Sequence, residues 1–153
     1  MTEASQEIKV LGAYPRVVAG KKIVISVGKR KTAIARAVIR PGVGRVRING
    51  VPIEIWPIEM ARLKMMEPLL LIRPELRNSV DIDVKVEGGG VMAQADAVRM
   101  AIARGLVAFF NIPELKELYK EFDKTMLSGD PRRTEPEKWL RYSARRFRQK
   151  SYR

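Results

Sequence analysis

The stretch VMAQADAVRMAIARGLVAFF, residues 91–110, sets the tightest limit on what this chain can fold into. Val91, Ala95, Val98, Ile102 and Leu106 recur at spacings of three and four, which lays one apolar stripe along a helix of about five turns. That stripe is a core stripe, and the residues upstream read as the strands that cover it. KIVISVG runs apolar up to Gly28 and suits a buried strand. In TAIARAVIRPG one parity holds Ala33, Ala35, Ala37 and Ile39, the other holds Arg36 and Arg40, and Pro41-Gly42 closes the run. GRVRING sends Val46 and Ile48 one way and Arg45, Arg47 and Asn49 the other. Asn49-Gly50 is a hairpin signal, because both residues tolerate positive φ. VPIEIW is the expected return strand, with Pro52 placing it near an edge. VDIDVKVEG then puts Ile82, Val84 and Val86 on one face and Asp81, Asp83, Lys85 and Glu87 on the other.

Two further helices are predicted. Pro57 opens a short one over IEMARLKMM, which Pro68 interrupts. Another follows Pro113, with Leu115, Leu118, Tyr119, Phe122 and Met126 in register until SGDP stops it. From Pro131 onward the pattern fails, and such a segment cannot by itself bury enough apolar surface to offset its ordering entropy. Residues 1–20 carry little periodicity and read as a leader arm. The expected architecture is α+β, a compact mixed-sheet domain with helices packed on one face. The expected division is an arm over 1–20, a globular domain over 21–128 and an extended basic tail over 129–153.

Charge narrows the function. The formal net charge is +13, of which residues 138–153 supply +7 with no acidic residue among them, so the remainder is basic as well. Self-repulsion on this scale favours a polyanionic partner, either nucleic acid or an anionic membrane surface. GLVAFF is too short for a membrane span, and MTEASQEIKV has no apolar core of the secretory kind, so a cytoplasmic protein is expected. The chain has no Cys and no His, which removes disulfides, thiolate metal sites and the commonest general base. VGKRKT lacks the first glycine of a phosphate-binding loop. Gly88-Gly89-Gly90 reads as a tight strand-to-helix turn needing positive φ in preference to an anion site. Asp81 and Asp83 have the spacing of any half-exposed strand, and no supporting ligands accompany them. No enzyme, cofactor or metal is expected.

The ending SARRFRQKSYR interleaves arginine with aromatic rings, the combination that pairs with phosphate and stacks on unpaired bases. Sixteen extended residues reach about 50 Å. Seven phosphate contacts would give a log–log salt slope of roughly −5 to −6. On the folded part, Arg36, Arg40, Arg45 and Arg47 together with GKRK at 28–31 form a candidate basic patch. A free RNA- or DNA-binding chaperone of low sequence specificity is the alternative that charge alone leaves open.

GKRKTAIARAVIRPGVGRVRINGVPIE, GGGVMAQADAVRMAIARGL, DPRRTEPEKW and the final QKSYR occur in that order. Together they resemble the small-subunit ribosomal protein S-nine family in its archaeal and eukaryotic form, over residues 22–153. The most specific part is Gly89-Gly90 followed by Gln94, Ala97, Ala101, Ala103, Arg104, Gly105 and Leu106. The resemblance implies a domain like the second domain of ribosomal protein S-five, with a left-handed β-α-β crossover. It also implies binding to small-subunit rRNA in the head, on the 3′ major domain, beside neighbouring head proteins. The implied rRNA-binding residues are Lys29, Arg30, Lys31, Arg36, Arg40, Arg45, Arg47, Arg132, Arg133, Lys138, Arg141, Arg145, Arg146 and Arg148. The implied tail tip at P-site tRNA is Lys150, Ser151, Tyr152 and Arg153. The chain departs from the usual family pattern in reading WLRYS before the tail and ARRFRQKSYR within it.

Overall fold

The protein is described by a computed structural model over residues 10–18, 20–147 and 151. Its strands are β1 (Ala13–Val18), β2 (Lys21–Arg30), β3 (Ala33–Pro41), β4 (Val46–Ile48), β5 (Val51–Pro52) and β6 (Val80–Glu87). Its helices are α1 (Glu59–Leu71), α2 (Pro74–Asn78), α3 (Val91–Phe110), α4 (Pro113–Phe122) and α5 (Thr125–Ser128). The sheet order is β1-β2-β3-β6-β4-β5, in which only the β4–β6 pair is parallel. That parallel pair forces a crossover, and α1 and α2 lie within it.

Period-two alternation sorts the sheet into a covered and an open face. Val24 and Ser26 of β2, Ala33, Ala35, Ala37 and Ile39 of β3, and Val80, Ile82, Val84 and Val86 of β6 are all buried. Helix α3 covers them, contributing Ala95, Val98, Ile102 and Leu106 of the expected stripe, whereas Val91 at the helix entrance is exposed. The small residues of the contact let backbone approach backbone. A methyl group added to Gly28 would stand 2.0 Å from the Ala97 carbonyl oxygen and 2.7 Å from the Ala101 nitrogen. The Ser26 hydroxyl donates to the Ala101 carbonyl at 2.7 Å.

Several elements differ from their sequence expectation. Strand β2 does not end at Gly28 but runs through it to Arg30, because the missing side chain is what admits α3. The arm contains a strand: Ala13–Val18 adds to the exposed edge of β2, whose backbone dictates the pairing whatever the side-chain pattern. Pro15 is tolerated there because β1 is an edge. Only Val51 and Pro52 return from the Asn49-Gly50 turn as a strand; Ile53–Ile55 form a 3₁₀ turn that buries Ile53. Asn49 and Gly50 do take positive φ, 50° and 84°.

Helix α1 continues through Pro68. The lost hydrogen bond costs about 3 kcal/mol in an isolated helix, but Ala61, Met65, Pro68 and Leu69 are all buried along the core side. The buried Tyr119 hydroxyl then donates to the Pro68 carbonyl at 2.7 Å, tying α4 to the end of α1. The last predicted helix is instead two, broken at Asp123, which is extended. The Asp123 carboxylate accepts the backbone N–H and the hydroxyl of Thr125, each at 2.8 Å, and so starts α5. Leu115, Tyr119 and Met126 are buried while Leu118 and Phe122 are exposed. Gly88 and Gly89 have φ of 75° and 69°, as the turn into α3 requires.

Replacing Gly28 by Ala should destabilise the fold by roughly 2 kcal/mol or more, since neither backbone can yield without moving α3. Gly90→Ala meets nothing within 4 Å and should cost about 1 kcal/mol or less, the ordinary loss on placing Ala at the N-cap of α3. Urea denaturation of the two variants checks the difference.

Candidate nucleic-acid interface

Among the described residues no helix lies over the second face of the sheet, and the residues of that face are set by the strand register. Running across it, Tyr14 pairs with Ile25, Ile25 with Val38, Val38 with Asp83 and Asp83 with Arg47. The neighbouring row brings Val27, Arg36 and Lys85 together, so two like charges stand directly opposite in central strands. Such a pair is unfavourable in a free sheet and suits a face that meets an anion. Arg36, Arg40, Arg45 and Arg47 are all exposed on or beside this face. Arg40 is committed to Asp83 at 2.6 Å.

Asp81 serves the chain itself. Its carboxylate accepts the backbone N–H of Val43 at 2.9 Å and of Arg45 at 3.0 Å, closing the loop that delivers Arg45 and Arg47. A side chain at Gly42 would collide with it. The Arg45 and then the Val43 hydrogen bond hold the Asp81 carboxyl below its ordinary value of 3.8. Among the described residues no group of acidic side chains has the arrangement of a metal site.

The turn between β2 and β3 carries the second basic group. Lys29 and Lys31 are exposed, and Lys31 adopts a φ of 53°, unusual for a side chain of its size. Arg30 between them turns back onto the chain. It bridges Asp130 at 2.9 Å, lies 3.8 Å from Asp96, and donates to the Arg132 carbonyl at 3.0 Å. Asp130 also accepts from Arg132 at 2.7 Å, and the Arg132 hydrogen bonds hold its carboxyl far below the usual carboxylate range. The tail therefore leaves the domain beside the basic turn. Arg132, Arg133 and Lys138 beyond this point are exposed.

Farther along, Arg145 pairs with Glu135 at 2.8 Å. The Arg141 guanidinium lies 4.1 Å from the centre of the Phe147 ring, across an isolated bridge between the same two residues. Arg146 is exposed, as are Trp139 and Tyr142, whose rings stand open to stacking partners, and Phe147, one face of whose ring is taken by Arg141. Ser151 is exposed, while Arg148, Lys150, Tyr152 and Arg153 lie outside the described residues.

The sequence profile of the family described as Ribosomal protein S9/S16 matches residues 28–153. The chain belongs to this family. It is 66% identical to the small ribosomal subunit protein uS9 of Aeropyrum pernix, over 87% of this chain and 98% of the relative. It is 67% identical to that of Desulfurococcus amylolyticus, over 86% and 94% of the two chains, and 66% identical to that of Pyrobaculum aerophilum, over 86% and 92%. Members of the ribosomal S9/S16 family are structural components and not enzymes.

In this S9/S16 chain the sequence reading missed two buried arginines of α3, Arg99 and Arg104, which are 7% and 8% exposed. Arg99 meets Glu67, Asp123 and Thr125, joining α1 to the start of α5. Arg104 donates to the carbonyls of Leu127 at 2.8 Å and Val27 at 2.9 Å, joining β2 to the end of α5. For Arg104 the available signal was a charged residue within the apolar run AIARGLVAFF, with no acidic residue three or four places away; Arg99 has Asp96 three places before it and gave no such signal. Lys85 was placed on its strand face but not among the candidates.

Asp81 makes an acid-dependent contribution with a defined sign. Because its folded-state pKa is depressed, the contribution is complete above the ordinary value of 3.8 and is lost as pH falls through the folded value. Thermal unfolding should show Asp81→Asn less stable than the parent at pH 5 and above. The gap should narrow steadily below pH 3.8. A gap that stays constant down to pH 2 would sink the assignment.

Proposed function

We propose that this chain is a structural constituent of the small ribosomal subunit in the cytoplasm. Its globular domain binds small-subunit rRNA in the head, on the 3′ major domain and beside neighbouring head proteins. Its C-terminal tail reaches the P-site tRNA with Lys150, Ser151, Tyr152 and Arg153 at the tip. The domain is read as the S-five domain-2-like type.

One observation carries this reading: the tail is pinned at Asp130 and Arg132 by Arg30, in the middle of the basic turn. Arg30 and Lys31 of the turn and Arg132 and Arg133 of the tail thus lie side by side, as a single polyanion laid along both would require. The names of the relatives supply the assembly, since each is a small ribosomal subunit protein. Phosphate contacts position such a protein on its RNA and carry no base sequence themselves. Arg36, Lys29, Lys31 and Arg133 serve as phosphate contacts of the domain. Trp139, Tyr142 and Phe147 serve as stacking platforms of the tail.

Deleting Lys150–Arg153 should leave the chain in the small subunit through a high-salt sucrose gradient while weakening P-site tRNA binding several-fold. Loss of incorporation on deletion would refute the division between anchoring domain and tRNA-facing tip. Recovery of the intact chain at the top of the gradient at low salt would replace the ribosomal reading with that of a free, unspecific nucleic-acid chaperone.

A further inference from the structure

Arg104 leaves a charge unanswered. Its side chain is almost fully buried, yet among the described residues no carboxylate lies within 4.0 Å of it. Two of its nitrogens are spent on the carbonyls of Val27 and Leu127. The third, Nη2, has no protein acceptor among the described residues, although no buried polar side-chain atom is left wholly enclosed without a partner. It stands beside Gly129, at the wall of an open groove of about 510 Å³. An arginine cannot relieve such a position by losing its proton at any ordinary pH. A buried cation of this kind is ordinarily accompanied by a counter-charge.

The rest of the groove has the same sign. Lys29 and Lys31 of the β2–β3 turn line one side, and Gly129 and Arg133 of the departing tail line the other. Among the described residues none of these three cations has an ion-pair partner. The one acid that borders the groove, Asp130, is already held between Arg30 at 2.9 Å and Arg132 at 2.7 Å. Four cations therefore converge on a solvent-open space with no acid left to balance them.

We infer that this groove is a phosphate-binding site, with the Arg104 guanidinium as its floor and Lys29, Lys31 and Arg133 as its rim. A tetrahedral oxyanion fits the donor set: the guanidinium offers fixed N–H groups at the base, and the two amines close over the remaining oxygens. The site deepens the rRNA reading given above and rests on it only for the source of the phosphate. An open groove continuous with the tail favours a backbone phosphodiester over a free phosphate ion.

The test is heteronuclear NMR of the full chain, following the Arg104 Nε–H and the Gly129 amide. Inorganic phosphate is titrated against chloride at matched ionic strength. Separate titrations use a short single-stranded RNA and the same oligonucleotide with an uncharged methylphosphonate backbone. Phosphate and RNA should shift both signals to saturation, and the methylphosphonate should not. Lys29→Ala/Lys31→Ala, which alters only exposed side chains, should weaken both affinities by about tenfold. A response that never saturates, or one that the double variant leaves unchanged, overturns the site. Saturation by phosphate but not by RNA overturns the polynucleotide source. If neither ligand saturates while the intact chain still sediments with the small subunit, the groove assignment is wrong and the ribosomal reading stands.

Discussion

The close contact between α3 and β2 is the constraint on which the remaining structure depends. Glycine at 28 and 105 and alanine at 97 and 101 remove the side-chain layer that usually separates a helix from a sheet. A Cβ at Gly105 would meet Ile39 at 2.5 Å and the Ser26 hydroxyl at 2.7 Å. Sitting this low, α3 covers β2 and β3 together and leaves the opposite face of the sheet without a helix. Its arginines are then near enough to reach across the edge. Arg99 grips the Asp123 turn and Arg104 grips the end of α5, so the helix that closes the core also sets where the tail begins.

The aspartates of this protein are committed to shaping the chain. Asp81 closes the β3–β4 loop, Asp83 holds Arg40, and Asp96 takes Lys64 at 2.6 Å. Glu67 and Asp123 hold Arg99, and Asp130 joins the turn to the tail. Each of these acids restrains a loop or joins two elements, and in doing so neutralises a cation or accepts from backbone N–H groups. Among the described residues Arg36 and Arg47 of the open sheet face, Lys29 and Lys31 of the β2–β3 turn and Arg133 of the tail are exposed cations with no acid paired to them. Arg30 shows the division well. It lies between two exposed lysines in sequence, but its work is to anchor the tail that carries other cations outward.

The sequence by itself determined the elements whose patterns are periodic over many residues. The alternation in β3 and β6 was legible because one face of each strand is wholly apolar. The stripe of α3 was legible because its helix is long, and the Asn49-Gly50 turn because its residues tolerate positive φ where others do not. The exposed character of Arg36 and Arg47 followed from the same alternation. The basic tail was legible from composition, since no core could be drawn from it.

Tertiary structure decided what depends on partners distant in the chain. Pro68 stays inside α1 because burial against the core offsets a missing hydrogen bond, and local rules count only the bond. Asp123 breaks the last helix because Thr125 and Arg99 reward its carboxylate for leaving helical geometry. Ala13–Val18 is a strand because the edge of β2 was open to it. Above all, the roles of the arginines were not readable from position: Arg30, Arg99 and Arg104 face inward, while Lys29 and Lys31 face out. A charged side chain takes its function from the acceptors within a few ångströms, and which acceptors those are is known only once strands, helices and tail have been brought together.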